Sequence, residues 1–334
     1  AYTDQLNLLG TKPFGGARQI FEVDFGESET NRVCGISGNP LRLGWNLNGS
    51  DWSNCFLVPF TPPRSPQWFI FYHEAAHNTT WASFTFGQGI GRFEYSEGVA
   101  TYTALTNFQR FADEPDFFVM GSAASSTIAD INADNRLAYS SHYSAWLGDG
   151  APFEALDPDI VDGILLYHEA NSAACFAERF LNIFQPRHQP QLQAILDEID
   201  TPEEQHTLFA AAVSAAAETN LISTFSDTYH YPIQTELFNE AYPALSGIAP
   251  PDSMDLNAPL NEQTVTGSVT LDWDNVPGAV GYNVYVGTGN PPRLYKSKVV
   301  DSELQIDGLA AKTHYYWLIE ALFRCDTPLL SEVR

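Results

Sequence analysis

Basic residues are scarce in this chain. Sixteen Lys and Arg stand against 41 Asp and Glu in 334 residues, a formal net charge of −25. Phosphate-backbone and anionic-membrane contacts draw on Lys and Arg, so nucleic acid is excluded as a sequence-independent partner. A cationic ligand suits the charge better. Charged residues of both signs make up only 17% of the chain against 44% apolar, which excludes a disordered polyelectrolyte. No apolar run approaches the length of a membrane span. Cysteine is limited to Cys34, Cys55, Cys175 and Cys325, with no Cys-x-x-Cys pair, so a thiolate zinc site is not expected. The opening Ala1-Tyr2-Thr3-Asp4 carries no signal-peptide pattern, as expected of a mature or trimmed chain.

What the chain does have is His73-Glu74-Ala75-Ala76-His77, followed twenty residues later by Tyr95-Ser96-Glu97-Gly98-Val99-Ala100-Thr101-Tyr102. On a helix His73 and His77 lie one turn apart on one face, so both imidazoles can reach one metal ion. Glu74 sits beside them as a candidate base for a metal-activated water. Two imidazoles and one carboxylate form a catalytic zinc set that leaves a fourth position open. Glu97 is the candidate third ligand and Glu94, one turn earlier, its competitor. Gly98 and Ala100 favour Glu97, because small residues let the second helix approach the first. Phe69-Ile70-Phe71-Tyr72 precedes the motif, so this helix is expected to be buried, where two histidines and a carboxylate need partners.

Residues 65–110 resemble the gluzincin metallopeptidases, in particular members of the aminopeptidase-N-like clan, which place a glutamate ligand in a Glu-Gly-x-Ala-x-Tyr setting. The resemblance implies Zn2+ as cofactor, His73, His77 and Glu97 as ligands, Glu74 as base, and a protein or peptide as substrate. A tyrosine opening a later helix steadies the oxyanion in these enzymes. Tyr167 is the matching position, although Glu169-Ala170 stand where Lys-Gly is usual. As a residue in its own right Tyr167 is equally a core aromatic. His142, His168 and His230 are other candidate oxyanion donors. The Gly-x-Met-Glu-Asn segment of the aminopeptidases is missing, and both methionines, Met120 and Met254, follow the zinc motif. Endopeptidase action is therefore the expected activity.

The expected fold class is α+β, in two domains. Residues 1–248 form a mostly helical zinc-metallopeptidase domain with a small N-terminal β portion. Strands are expected over 18–25, 41–47 and 55–60, the first from its alternation. Ser65-Pro66 reads as an N-cap and first helical residue, opening a zinc helix that runs to about residue 78. Gly87, Gly89 and Gly91 make a loop bordering the cleft. Helical patterns follow over 93–111, 124–147, 158–184, 188–198 and 202–219. A linker spans 249–260, with Pro250-Pro251 and Pro259. Residues 261–334 turn to period two and resemble a fibronectin type III domain, with Trp273 as its buried tryptophan and Tyr315 as its corner tyrosine. That module is expected to space or bind rather than catalyse.

A disulfide between Cys34 and Cys55 would staple a loop-rich stretch, and it goes with a secreted or cell-surface location. Cys175, among alanines and Phe176, reads as a buried free thiol. Two further readings stay open beside the extracellular endopeptidase. One is a non-catalytic adhesion or filament subunit on a metallopeptidase-like scaffold; the other is a glycoprotein-directed peptidase.

Overall fold

The computed structural model describes residues 21–24, 35–36, 41–44, 72–74, 76–77, 93–113, 122–172, 175–183, 195, 199, 201–247, 253–265, 267–276, 279, 281–323 and 328–334. The architecture is mixed α+β: a short N-terminal sheet, a helical region, and two small antiparallel sheets at the C-terminal end. No described helix is long and apolar enough to cross a membrane.

Strands β1 (Phe21–Asp24), β2 (Gly35–Ile36) and β3 (Leu41–Gly44) form a mixed sheet in the order β1-β3-β2. β1 runs parallel to β3, and β2 antiparallel to it. The expected strand at 55–60, the Ser65-Pro66 cap, the glycine loop and the Cys34–Cys55 pair lie outside the described residues.

Residues 72–74 and 76–77 are helical, as the motif requires. After this motif helix come α1 (Phe93–Asp113), α2 (Ser122–Gly148), α3 (Pro158–Asn171), α4 (Phe176–Ile183), α5 (Pro202–Ala216) and α6 (Thr235–Ser246). A 3-10 turn, Phe153–Ala155, precedes α3, and a π-helical turn, Thr224–Thr228, follows α5. Helix starts follow local chemistry. Asp157 accepts the Ile160 amide at 2.9 Å with Pro158 in the first helical turn. Thr201 and Glu204 form a reciprocal capping box ahead of α5.

α3 is the central element. Val161, Ile164 and Leu165 on it are fully buried, and it packs on both α1 and α2. The α1–α3 approach depends on Gly98: a Cβ there would sit 2.6 Å from Val161 Cγ1. The close neighbour that makes Gly98 necessary is thus α3, and not the motif helix that the sequence suggested. α5 lies against α4 and α6. Its Phe209 stacks on Tyr95 of α1 at 4.6 Å, and Tyr95 OH is hydrogen-bonded to His206 Nδ1 at 2.6 Å. The motif helix docks through Tyr72, which joins Phe108 and Ala104 of α1 and Ile128 of α2 in a small buried cluster.

Two sequence expectations need correction here. The helix read over 158–184 is broken: α3 ends at Asn171, Ser172 is extended, and Cys175 has a φ of +76°. Cys175 is disulfide-bonded rather than a free thiol, to a cysteine outside the described residues. A left-handed residue cannot continue a right-handed helix, so the run splits there.

The C-terminal strands are β4 (Leu256–Ala258), β5 (Val269–Trp273), β6 (Gly281–Gly287), β7 (Leu294–Val299), β8 (Glu303–Ile306), β9 (Tyr316–Leu322) and β10 (Leu329–Leu330). They form two sheets, β10-β9-β6-β7 and β4-β5-β8. Alternate residues face inward: Leu271 and Trp273 on β5, Tyr282 and Val284 on β6, Trp317, Ile319 and Ala321 on β9. β4 falls inside the stretch read as linker, and Met254 and Leu256 belong to this core. Ahead of β9, the Tyr315 hydroxyl accepts the Ala310 amide at 3.1 Å.

Candidate metal centre

Three side chains from two helices meet at one point. His73 Nε2 and His77 Nε2 lie 3.1 Å apart. Glu97 spans both, with Oε2 at 3.1 Å from His73 Nε2 and Oε1 at 3.4 Å from His77 Nε2. The one-turn spacing of the histidines brings them together on the motif helix, their rings edge to face at 4.6 Å. Glu97 arrives from the second turn of α1. Together these are a group able to hold a metal ion. Glu94, the competing ligand, does not belong to it.

The outer nitrogens are also partnered. His73 Nδ1 lies 3.1 Å from Thr101 Oγ1, and His77 Nδ1 lies 3.4 Å from Ser96 Oγ. A hydroxyl oxygen there can accept an imidazole N–H, and in that tautomer each Nε2 presents a lone pair inward. In that tautomer two lone pairs and a carboxylate converge on one point, which a cation at the centre would satisfy. Tetrahedral zinc ligands about 2.0–2.2 Å from the ion stand about 3.3–3.6 Å from one another, close to the separations found. The residues therefore fit a divalent metal. They also carry the outer hydrogen bonds that orient metal-binding histidines.

Burial on its own would raise the Glu97 carboxyl. With no metal between them and a proton at Nε2, hydrogen bonds from His73 and then His77, and their charge, outweigh burial and hold it at about 2. Glu97 is therefore anionic at any working pH. Glu74 is nearly buried, at 9% exposure, three residues before His77 on the same helix.

The other candidates lie elsewhere. Tyr167 lines a separate cleft with His168, Asn171, Glu218 and Leu221; none of the three metal-site residues borders it. The Tyr167 ring packs on Tyr143 at 5.2 Å. His142 faces Asp159 at 3.3 Å across α2 and α3. His168 is buried and hydrogen-bonded to Tyr229. His230 is exposed, with a φ of +53°. Ser96 and Thr101, which contact the outer nitrogens, carry no role in the sequence reading. Their signal was present, since Thr101 stands one helical turn after Glu97 and shares its face.

No family model and no curated protein matches the chain. Among solved structures, the chain is similar to the M60 catalytic domain from Clostridium perfringens ZmpC, solved in complex with the sialyl T antigen. The identity is 10% and the TM-score 0.32, over 99% of this chain and 61% of that one. The chain thus spans less than two thirds of the matched protein. A superposition of that quality assigns no residue a role, and the site rests on its own geometry.

Proposed function

We propose that the protein is a zinc-dependent hydrolase of peptide bonds, with His73, His77 and Glu97 as ligands and Glu74 as general base. The observation that carries this reading is the meeting of two imidazole Nε2 atoms and one carboxylate at 3.1–3.4 Å, each histidine with a hydroxyl behind it. Zinc, when bound, supplies a Lewis acid and brings the pKa of water towards about 7. His73 and His77 contribute neutral donors held in one tautomer by Thr101 and Ser96. Glu97 contributes the single negative charge, which leaves the site net positive for an electron-rich carbonyl. Glu74 accepts a proton from the attacking water at its carboxylate and returns it to the leaving nitrogen.

The division of labour is part of the same proposal. The helical region to about residue 248 carries the chemistry. The C-terminal strands form a fibronectin type III-like sandwich that spaces or presents it. Supporting this are the three-plus-four strand order, the 1% exposure of Trp273 and the Tyr315–Ala310 bond. The boundary belongs before Met254, which is buried with the sandwich. An exported location goes with the disulfide at Cys175.

The test is metal analysis together with cleavage of a polypeptide panel presented with and without O-linked glycans. Glu74→Gln is expected to keep one equivalent of metal and lose at least about a hundredfold in kcat. Undiminished cleavage by that variant overturns the role of Glu74. A protein that binds metal and cleaves neither arm of the panel is the non-catalytic scaffold. Cleavage of the glycosylated arm alone makes the enzyme glycoprotein-directed.

A further inference from the structure

The cleft that holds Tyr167 measures about 420 Å³, within the usual range for small-molecule sites, and shares no residue with the metal centre. Two helices end at its rim. α3 closes at Asn171 and Ser172, and α5 closes at Ala217 and Glu218. Each helix C-terminus carries the negative end of a macrodipole, about half a charge. Among the described residues no Lys or Arg lines the cleft, and α5 has no basic residue in its last turn. The one basic residue in the last turn of α3 is His168, 4% exposed, whose pKa burial lowers to about 4. The α3 end therefore faces the cleft with no described Lys or Arg on it, while the α5 end has a single cation, Arg179, placed behind it.

Three further features give the negative end a shape. Glu218 brings a carboxylate to the rim. Asn171 Nδ2 donates to the Tyr167 carbonyl at 2.8 Å, so its amide oxygen is the group left to accept. Tyr167 is 43% exposed; its ring rests on Tyr143 and meets His168 edge to face, and its exposed part is the aromatic surface offered to an ion. The chain already places a guanidinium at this helix end from behind. Arg179 Nε donates to the Ala216 carbonyl at 2.7 Å, and Nη1 lies 3.7 Å from Glu218. Arg179 offsets part of the negative charge without entering the cleft.

We propose that this cleft binds an organic cation, a guanidinium or primary ammonium on a short aliphatic arm, with Tyr167 as the aromatic wall and Glu218 and the two helix ends as the counter-charge. This assigns the work to the Tyr167 ring, not its hydroxyl. The cation could be a free small molecule or an Arg or Lys side chain of a polypeptide. The chemistry is the same, and the overall charge of −25 steers either one inward.

The experiment is a titration of the full-length, metal-loaded protein with Nα-acetyl-arginine amide, followed by heteronuclear NMR. The neutral isostere Nα-acetyl-citrulline amide and the pentapeptides Gly-Gly-Arg-Gly-Gly and Gly-Gly-citrulline-Gly-Gly run beside it. Arginine probes are expected to shift Asn171, Thr219 and Leu221 amides and to bind at least tenfold tighter than the citrulline probes. Tighter binding of the pentapeptide identifies a polypeptide side chain as the source, and tighter binding of the free amide a small molecule. Glu218→Gln and Tyr167→Leu should each weaken binding about five- to tenfold, while Tyr167→Phe keeps it. Equal binding of arginine and citrulline, no binding at 10 mM, or indifference to both Glu218→Gln and Tyr167→Leu overturns the proposal. The metal centre takes no part in the readout, so failure of the hydrolase reading leaves this result standing, and the reverse also holds.

Discussion

Thr101 Oγ1 lies 3.1 Å from His73 Nδ1, on the same helix that delivers Glu97 to His73 Nε2. One turn of α1 therefore grips both nitrogens of a single imidazole. Removing the hydroxyl frees the ring to rotate and to change tautomer. Thr101→Val keeps the shape of a buried side chain and is expected to weaken metal affinity about 10- to 100-fold. Thr101→Ser should recover most of it. Competition against a zinc chelator reads the difference; unchanged affinity in the valine variant refutes the orienting role.

His168 predicts how stability depends on pH. Burial lowers its pKa from 6.5 to about 4. Below 6.5 the unfolded chain takes up a proton that the folded one refuses, so the unfolded state gains as pH falls. The contribution is full above 6.5 and is lost between 6.5 and about 4, for a total of about 3 kcal/mol. Urea unfolding of the metal-free protein, with chelator present throughout, measures the slope. His168→Gln should flatten the curve across this window relative to wild type. A parallel curve rules the assignment out.

Asp162, six residues earlier on α3, works in the opposite sense. It is fully buried and no side-chain donor reaches either carboxyl oxygen. Burial first, then the charge of Asp159, raises its pKa well above the ordinary 3.8, against a weaker lowering pull from the Tyr102 backbone. A raised carboxyl contributes stability that is complete below 3.8 and drains away as pH climbs. Asp162→Asn has the same shape and never ionises. It should stabilise the fold at pH 8 by about 1–3 kcal/mol and by less at pH 5. An asparagine variant weaker at both values means that the carboxylate is charged and held by a partner.

The sequence and the structure agree wherever a short-range rule decides. His73 and His77 were legible because a four-residue spacing on a helix has one geometric meaning. Glu97 joins them, although its small neighbour Gly98 serves the approach of α3 and not that of the motif helix, and the alternation around Trp273 and Trp317 gives two inward faces. Long-range facts were not legible. Gly98 reads as a close-approach residue, but its partner, Val161, is 63 positions away and nothing local names it. The break at Cys175 comes from a covalent tie and a left-handed residue that no helical periodicity encodes. α6, with Pro243 inside it, also escaped, because its apolar face is short and proline argues against a helix. Tyr167 matches a family motif, but none of His73, His77 and Glu97 lines the cleft that it borders.

Gly98 and Gly163 both permit close helix packing, yet substitution should separate them. At Gly98 the added Cβ meets mainly a side chain, Val161 Cγ1 at 2.6 Å and Cβ at 2.8 Å, with the Pro158 carbonyl oxygen at 3.2 Å. At Gly163 it meets Tyr143 Cβ, next to the backbone, and the Tyr139 carbonyl oxygen at 2.8 Å. Truncation to alanine removes the Val161 Cγ1 contact but leaves the Val161 Cβ and Pro158 carbonyl contacts, whereas at Gly163 neither Tyr143 Cβ nor the Tyr139 carbonyl can be truncated away. Gly98→Ala is expected to cost about 1–3 kcal/mol, and Val161→Ala in the same protein should recover about 1 kcal/mol relative to the sum of the single changes. Gly163→Ala should cost more, with no single truncation relieving it. Gly98→Ala should also weaken metal binding, because Glu97 rides on the displaced turn, whereas Gly163→Ala reaches the site only through general destabilisation. Thermal unfolding with and without added zinc separates the two. If Gly98→Ala leaves the zinc-induced rise in Tm intact, the α1–α3 contact does not position Glu97.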